Sequence, residues 1–284
     1  MIDSYKIEGC INLDEHTCFK SANTMPNFQE KLKEFKENLV RLVNTEQAKS
    51  FYKFGDGDYY FLKKTALGSA APGRRALSRG YSEIKHEEFV EGAELCDYYT
   101  CELYPENIDR FNQVINRNID YPAEFGYGLV ANKWLTKTFS KEIGVIGAKQ
   151  KIDLIKAMMN HKEYQDYLGL EEFQDYIHIP QKFACDDIDE TERLVVEQLK
   201  NSKSKIFLIG IGHVKSGLLH RLKKYKKAVF LDVGSGIDAL AGVIDHGRPY
   251  MGDWVNYRIK EFDYSSLDIL QYDMWNTPHK LIGE

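Results

Sequence analysis

The residues best suited to chemistry are the two carboxylates of Phe54-Gly55-Asp56-Gly57-Asp58-Tyr59-Tyr60, set one residue apart between glycines. If the chain is extended here, positions i and i+2 point to the same side, so Asp56 and Asp58 converge on one small volume while Gly55 and Gly57 admit a ligand closely. Carboxylate oxygens suit a hard divalent cation, Mn²⁺ or Mg²⁺, and a site with one or two protein carboxylates completes its shell with water and substrate phosphates. Asp56 and Asp58 are therefore candidate metal ligands beside a diphosphate. The same residues also make a good solvated turn between two strands, and on the motif alone both uses stay open. An EF-hand is excluded: counting from Asp56, the fifth, sixth and twelfth positions are Tyr60, Phe61 and Leu67, where that loop needs an oxygen ligand, a glycine and a glutamate.

Around this motif the chain supplies positioning elements. Phe28, Leu32, Phe35, Leu39 and Leu42 or Val43 recur at helical spacing over residues 27–49, an amphipathic helix feeding the motif. Residues 65–84 read as a mobile loop with Gly68, Gly73 and Gly80 and with Arg74, Arg75 and Arg79 close together. Arginine forks match phosphate oxygens, so Arg74 and Arg79 are candidate diphosphate clamps; a solvated charge run is the plainer use. Residues 87–118 read as mixed helix. Three βα units follow, opened by Ile143-Gly144-Val145-Ile146-Gly147, by Tyr176-Ile177-His178-Ile179-Pro180, and by Lys205 to Gly212, the last returning through a helix near 215–224 to Ala228–Gly234. Strand, glycine turn and helix in repetition specify an α/β, Rossmann-like fold, a mostly parallel sheet with helices on both faces and ligands at the carboxyl ends of the strands. The strand-end candidates for a general base are His213, Asp232 and Asp238, with none preferred. Tyr250, Trp254 and Tyr257 either wall a sugar ring or cover the core.

Two resemblances give these pieces a function. Val229-Phe230-Leu231-Asp232-Val233-Gly234-Ser235-Gly236-Ile237-Asp238 resembles the first motif of class I S-adenosylmethionine-dependent methyltransferases, but it stands near the end of the chain, whereas that fold begins near it. Phe54-Gly55-Asp56-Gly57-Asp58, with Lys53, resembles the Asp-x-Glu signature of the GT-D glycosyltransferases. Val145-Ile146-Gly147, Ile177-His178-Ile179-Pro180, Leu208 to His213 and Asp232 to Asp238 resemble that family's later segments in the same order, over roughly residues 50 to 240. The resemblance implies a single glycosyltransferase domain over 1–284, with residues 1–50 as a helical extension. It implies a metal-dependent enzyme that moves a sugar from a nucleotide-diphosphate donor, a UDP-sugar foremost, to a glycan or other hydroxyl acceptor. Gly55, Asp56, Gly57, Arg74 and Arg79 would bind the nucleotide sugar. The chain departs from the family in having Asp58 in place of Glu, His213 and Lys215 in an otherwise uncharged turn, and Ser235-Gly236 in place of His-Ile.

The bulk properties agree with a small-molecule enzyme. A chain of 284 residues, 43% hydrophobic, can bury a full core, and a net charge of −5 offers no field to attract nucleic acid. Five cysteines without a CxxC pair argue against a disulfide framework or a structural zinc site. No basic leader or membrane-length apolar run is visible, which leads to the expectation of a cytoplasmic protein.

Overall fold

The computed structural model describes residues 5–9, 27–64, 85–243, 257–267 and 279–283. Arg74, Arg75, Arg79, the Gly68–Gly80 loop, Tyr250 and Trp254 lie outside them. In chain order the elements are α1 (Phe28–Asn44), β1 (Lys49–Phe54), α2 (Asp56–Leu62), α3 (His86–Ala93), β2 (Tyr98–Cys101), α4 (Pro105–Val114), β3 (Tyr121–Pro122), α5 (Ala123–Ala131) and α6 (Trp134–Thr138). They continue with β4 (Ile143–Ala148), α7 (Lys149–Met158), α8 (Lys162–Leu168), β5 (Tyr176–Ile179), α9 (Ile188–Leu199), β6 (Ile206–Gly210), α10 (Val214–Leu222), β7 (Val229–Asp232), α11 (Gly236–Leu240), β8 (Tyr257–Ile259) and β9 (Lys280–Ile282).

Seven strands form one sheet in the order β3-β2-β1-β7-β6-β4-β5, and every pairing in it is parallel. Parallel strands buried on both faces need apolar side chains at successive positions, and β6 supplies them. Ile206 and Leu208 enter one core layer, Phe207 and Ile209 the other. Helices α1, α5, α7, α8 and α11 pack on the first face, and α2, α3, α4, α9 and α10 on the second. This is the α/β Rossmann-like architecture that the repeated strand-turn-helix units specify. A short parallel pair, β8 with β9, adds Tyr257 and Ile282 to the first core layer. Tyr257 packs its ring 5.5 Å from Tyr164 and 4.8 Å from Tyr167, so it covers the core.

Three sequence readings need correction. Helix α1 is not an appendage: Phe28, Phe35, Leu39 and Leu42 are fully buried, and Phe35 meets the rings of Phe51, Tyr121 and Phe125. Residues 87–118 contain a strand, β2, which pairs along β1 from Phe51↔Tyr98 to Phe54↔Cys101. The third concerns Asp56 and Asp58. They lie in helix α2, where residues two apart fall about 200° apart around the axis, so the two carboxylates diverge.

Candidate active site

Outgoing connections decide where the sheet opens. The chain leaves β1 through α2 on the second face and leaves β7 through α11 on the first, although β1 and β7 are hydrogen-bonded neighbours. Neighbouring strands whose connections part to opposite faces leave a crevice at their carboxyl ends, the usual ligand site of open α/β sheets. Lys53, Asp58 and Asp232 stand there. Strand parity sends Lys53 to the same face as Phe51 and Asp232 to the same face as Phe230.

Asp58 is the third residue of α2, and its Oδ2 reaches back to accept the Gly55 N–H at 2.9 Å, half of a capping box. The same oxygen lies 3.0 Å from Lys215 Nζ. Tyr52 donates its hydroxyl to Oδ1 at 3.3 Å, and His213 Nδ1 stands 3.8 Å from that atom. Burial alone would raise the Asp58 pKa, but the Lys215 ammonium first, then His213 and Lys53, hold it well below the usual carboxylate range. His213 lies flat on Phe61, with ring centroids 4.5 Å apart and planes 2° apart, which fixes the imidazole beside Asp58. Tyr52 completes the floor by hydrogen bonding Ser216 Oγ at 2.8 Å.

Asp232, at the end of β7, accepts the Lys53 N–H at 3.1 Å and the Gly234 N–H at 2.9 Å, and pairs with Lys215 Nζ at 3.0 Å. Gly234 takes φ +48, a left-handed conformation that favours glycine, and this turn brings its N–H back onto the carboxylate. Lys215 also donates to the Lys53 carbonyl. Lys53 itself reaches the other side of the crevice, where its Nζ meets Glu102 Oε1 at 2.8 Å and lies 5.5 Å from the Tyr127 ring centroid. A Cβ on Gly55 would stand 2.9 Å from Lys53 Nζ, so this glycine keeps room for the ammonium. Asn107 holds the second oxygen of Glu102 at 3.1 Å. Behind it Glu124, fully buried, accepts the Leu103 N–H at 3.0 Å, while its Oε2 has no hydrogen-bond partner among the described residues. Burial, then the charge of Glu102, push the Glu124 pKa up to about 8.

The structure thus joins Asp58, Asp232 and His213 in one cluster and separates the other candidates. Asp56 is exposed and accepts the Gly57 N–H at 2.6 Å. Asp238 pairs with Lys151 of α7. Lys215 entered the sequence reading only as a departure from a family turn, and Lys53 only as motif context; Tyr52, Glu102 and Glu124 were not singled out. Glu102 follows a strand end and Glu124 interrupts an apolar, glycine-containing stretch, which are the signals that mark them.

A divalent ion at Asp56 and Asp58 does not fit this arrangement. The two side chains diverge, Asp58 spends its oxygens on Gly55, Tyr52 and Lys215, and the ammonium fills the space between Asp58 and Asp232. Among the described residues no group of three or more His, Cys, Asp or Glu is placed to hold a metal ion, and no helix is long and apolar enough to cross a membrane.

No family model and no curated protein sequence matches the chain. Solved structures do. One, described as a selenomethionine-substituted domain of unknown function 1792, aligns with a TM-score of 0.50 at 15% identity, covering 87% of this chain and 91% of that one. Another, described as a new glycosyltransferase (DUF1792) from Streptococcus sanguinis, aligns with a TM-score of 0.46 at 12% identity, covering 72% of this chain and 81% of that one. At these identities the first likeness establishes a shared α/β fold.

Proposed function

We propose that this protein is a glycosyltransferase that moves a sugar from a nucleotide-diphosphate donor, a UDP-sugar foremost, to a hydroxyl acceptor such as a glycan. The observation that carries the reading is the placement of the Gly55-Asp56-Gly57-Asp58 segment, at the carboxyl end of β1 and at the mouth of the β1–β7 crevice, against buried lysines and a histidine whose Nδ1 stands 3.8 Å from Asp58. The motif's resemblance to the GT-D signature supports the same reaction. So does the fold shared with the domain matched at a TM-score of 0.50, whose family designation, DUF1792, is also carried by a protein described as a glycosyltransferase.

Two tasks must be met in such a transfer: charge builds on the leaving diphosphate, and the acceptor hydroxyl must lose a proton. Lys53, its side chain 11% exposed and held by Glu102, places a positive charge at the crevice. His213 is the proton acceptor. Asp58 faces it from the Nδ1 side, in the place from which a carboxylate orients the base in hydrolytic triads. Apo distances in such pairs are often long, and 3.8 Å is in keeping with closure on substrate.

The test is a panel of UDP-, GDP- and dTDP-sugars scored by donor hydrolysis and by thermal shift. One donor class should be hydrolysed slowly and should raise the melting temperature. His213→Gln should lower turnover about 100-fold while keeping the donor-induced shift, because general-base removal costs rate more than binding. A panel with no response, together with a shift from S-adenosylmethionine, would replace this reading by the methyltransferase one.

A further inference from the structure

We propose that the Lys215 ammonium is the resident cation of the Asp58–Asp232 carboxylate pair, holding the position a divalent metal ion would otherwise take. Its Nζ lies 3.0 Å from Asp58 Oδ2 and 3.0 Å from Asp232 Oδ2, and it donates to the Lys53 carbonyl. An ammonium has three N–H donors and no acceptor, and here three oxygens receive them. These oxygens come from three segments, the β1 end, the first turn of α2 and the β7 end, while the lysine comes from α10. The geometry is that of an oxygen-ligated cation site with nitrogen at its centre.

Burial makes the occupant necessary. The side chains of Lys215, Asp58 and Asp232 are 6%, 7% and 1% exposed. Two carboxylates this close and this dry repel strongly unless a positive charge lies between them. Desolvation alone would lower the Lys215 pKa, but Asp232 and Asp58 raise it, so the group is charged. Mg²⁺ would require the same oxygens at about 2.0–2.1 Å, and so would have both to expel the ammonium and to draw the ligands inward. The Lys215 Nζ also stands 4.7 Å from the Tyr52 ring centroid, a contact that a lysine makes and a hydrated metal ion does not need. The inference rests on this geometry alone, and its readout needs no sugar donor, so it stands or falls separately from glycosyl transfer.

The experiment compares the wild type, Lys215→Met and the double variant Lys215→Met with Asp58→Asn, each melted in EDTA and in about 1 mM MnCl₂. Methionine keeps the stem's bulk and removes the charge. The wild type should melt at one temperature in both conditions. Lys215→Met should melt lower in EDTA and regain about 5 °C or more with Mn²⁺, since an ion that binds only the folded state stabilises it by mass action. The double variant should lose that gain. A wild type stabilised by Mn²⁺ in a manner abolished by Asp58→Asn would overturn the proposal, as would a stable Lys215→Met indifferent to Mn²⁺. Should Lys215→Met not fold in either condition, Mn²⁺ electron paramagnetic resonance on the wild type and Asp58→Asn decides. Equal free-ion signals uphold the resident cation, and Asp58-dependent Mn²⁺ uptake refutes it.

Discussion

Asp56 and Asp58 look interchangeable in the sequence and are opposites in the structure. Asp58→Ala strands the Lys215 charge with one carboxylate fewer, and removing one partner of a buried ion pair costs about 3–5 kcal/mol. Asp56→Ala removes an exposed side chain and should change stability by about 0.5 kcal/mol or less. Urea unfolding of the two variants measures this directly, and equal costs would contradict the buried pair. Glu124 gives a pH prediction. Its folded pKa is raised to about 8, by burial and then Glu102, from an ordinary value of 4.5. Between those values the folded state keeps a proton that the unfolded chain has lost. Stability from this group is therefore full below about pH 4.5, falls as pH rises, and is gone above about pH 8. Glu124→Gln carries no such proton, so its unfolding free energy should vary less between pH 5.5 and pH 8 than the wild type's. Identical pH slopes would mean that Glu124 is already ionised in the folded state.

At the scale of elements, α1 shows how packing decides. Its buried stripe meets the sheet through Phe35, whose ring centroid lies 4.9 Å from Tyr121, 5.6 Å from Phe125 and 5.9 Å from Phe51. Phe35→Ala should cost about 3–5 kcal/mol, the range for emptying a fully buried aromatic site, whereas Lys33→Ala on the solvent face should cost less than about 0.5 kcal/mol. Chemical denaturation of both variants is the check, and a mild Phe35→Ala would show that α1 is only loosely attached. Helix α2 carries the opposite lesson. It has seven residues, too short to be stable alone, and is held by the Asp58 cap, by Phe61 and Leu62 in the core, and by His213 stacked on Phe61.

At the scale of the molecule, the sheet's two parts meet at one joint. Strands β3, β2 and β1 join β7, β6, β4 and β5 through the register Lys49↔Val229, Ser50↔Phe230 and Phe51↔Leu231. Lys215 reinforces that joint by binding groups from β1, α2 and β7 at once. Native-state hydrogen exchange should therefore give the amides of β1, β6 and β7 one shared opening free energy, equal to that of global unfolding. Separate, lower protection of β1 and β2 would show instead that the first part opens on its own.

The sequence by itself determined the architecture. Apolar runs such as Ile206–Ile209 and Val229–Leu231, with glycine turns after them and a helical pattern between the two, leave few folds other than a parallel sheet covered on both faces. It offered Asp58, Asp232 and His213 alongside Asp56 and Asp238 without ranking the strand-end groups, because acidic and imidazole groups are visible without coordinates but their mutual placement is not. It misplaced β2, four residues of Tyr-Tyr-Thr-Cys whose strand character comes from pairing with β1, and it read Asp56 and Asp58 as convergent because i, i+2 spacing has that meaning only in extended chain. Only the tertiary structure decided that Lys215, 162 residues from Lys53, would sit between Asp58 and Asp232. No local pattern carries that contact, because it is set by the order of strands in the sheet and by the need of two buried carboxylates for a cation between them.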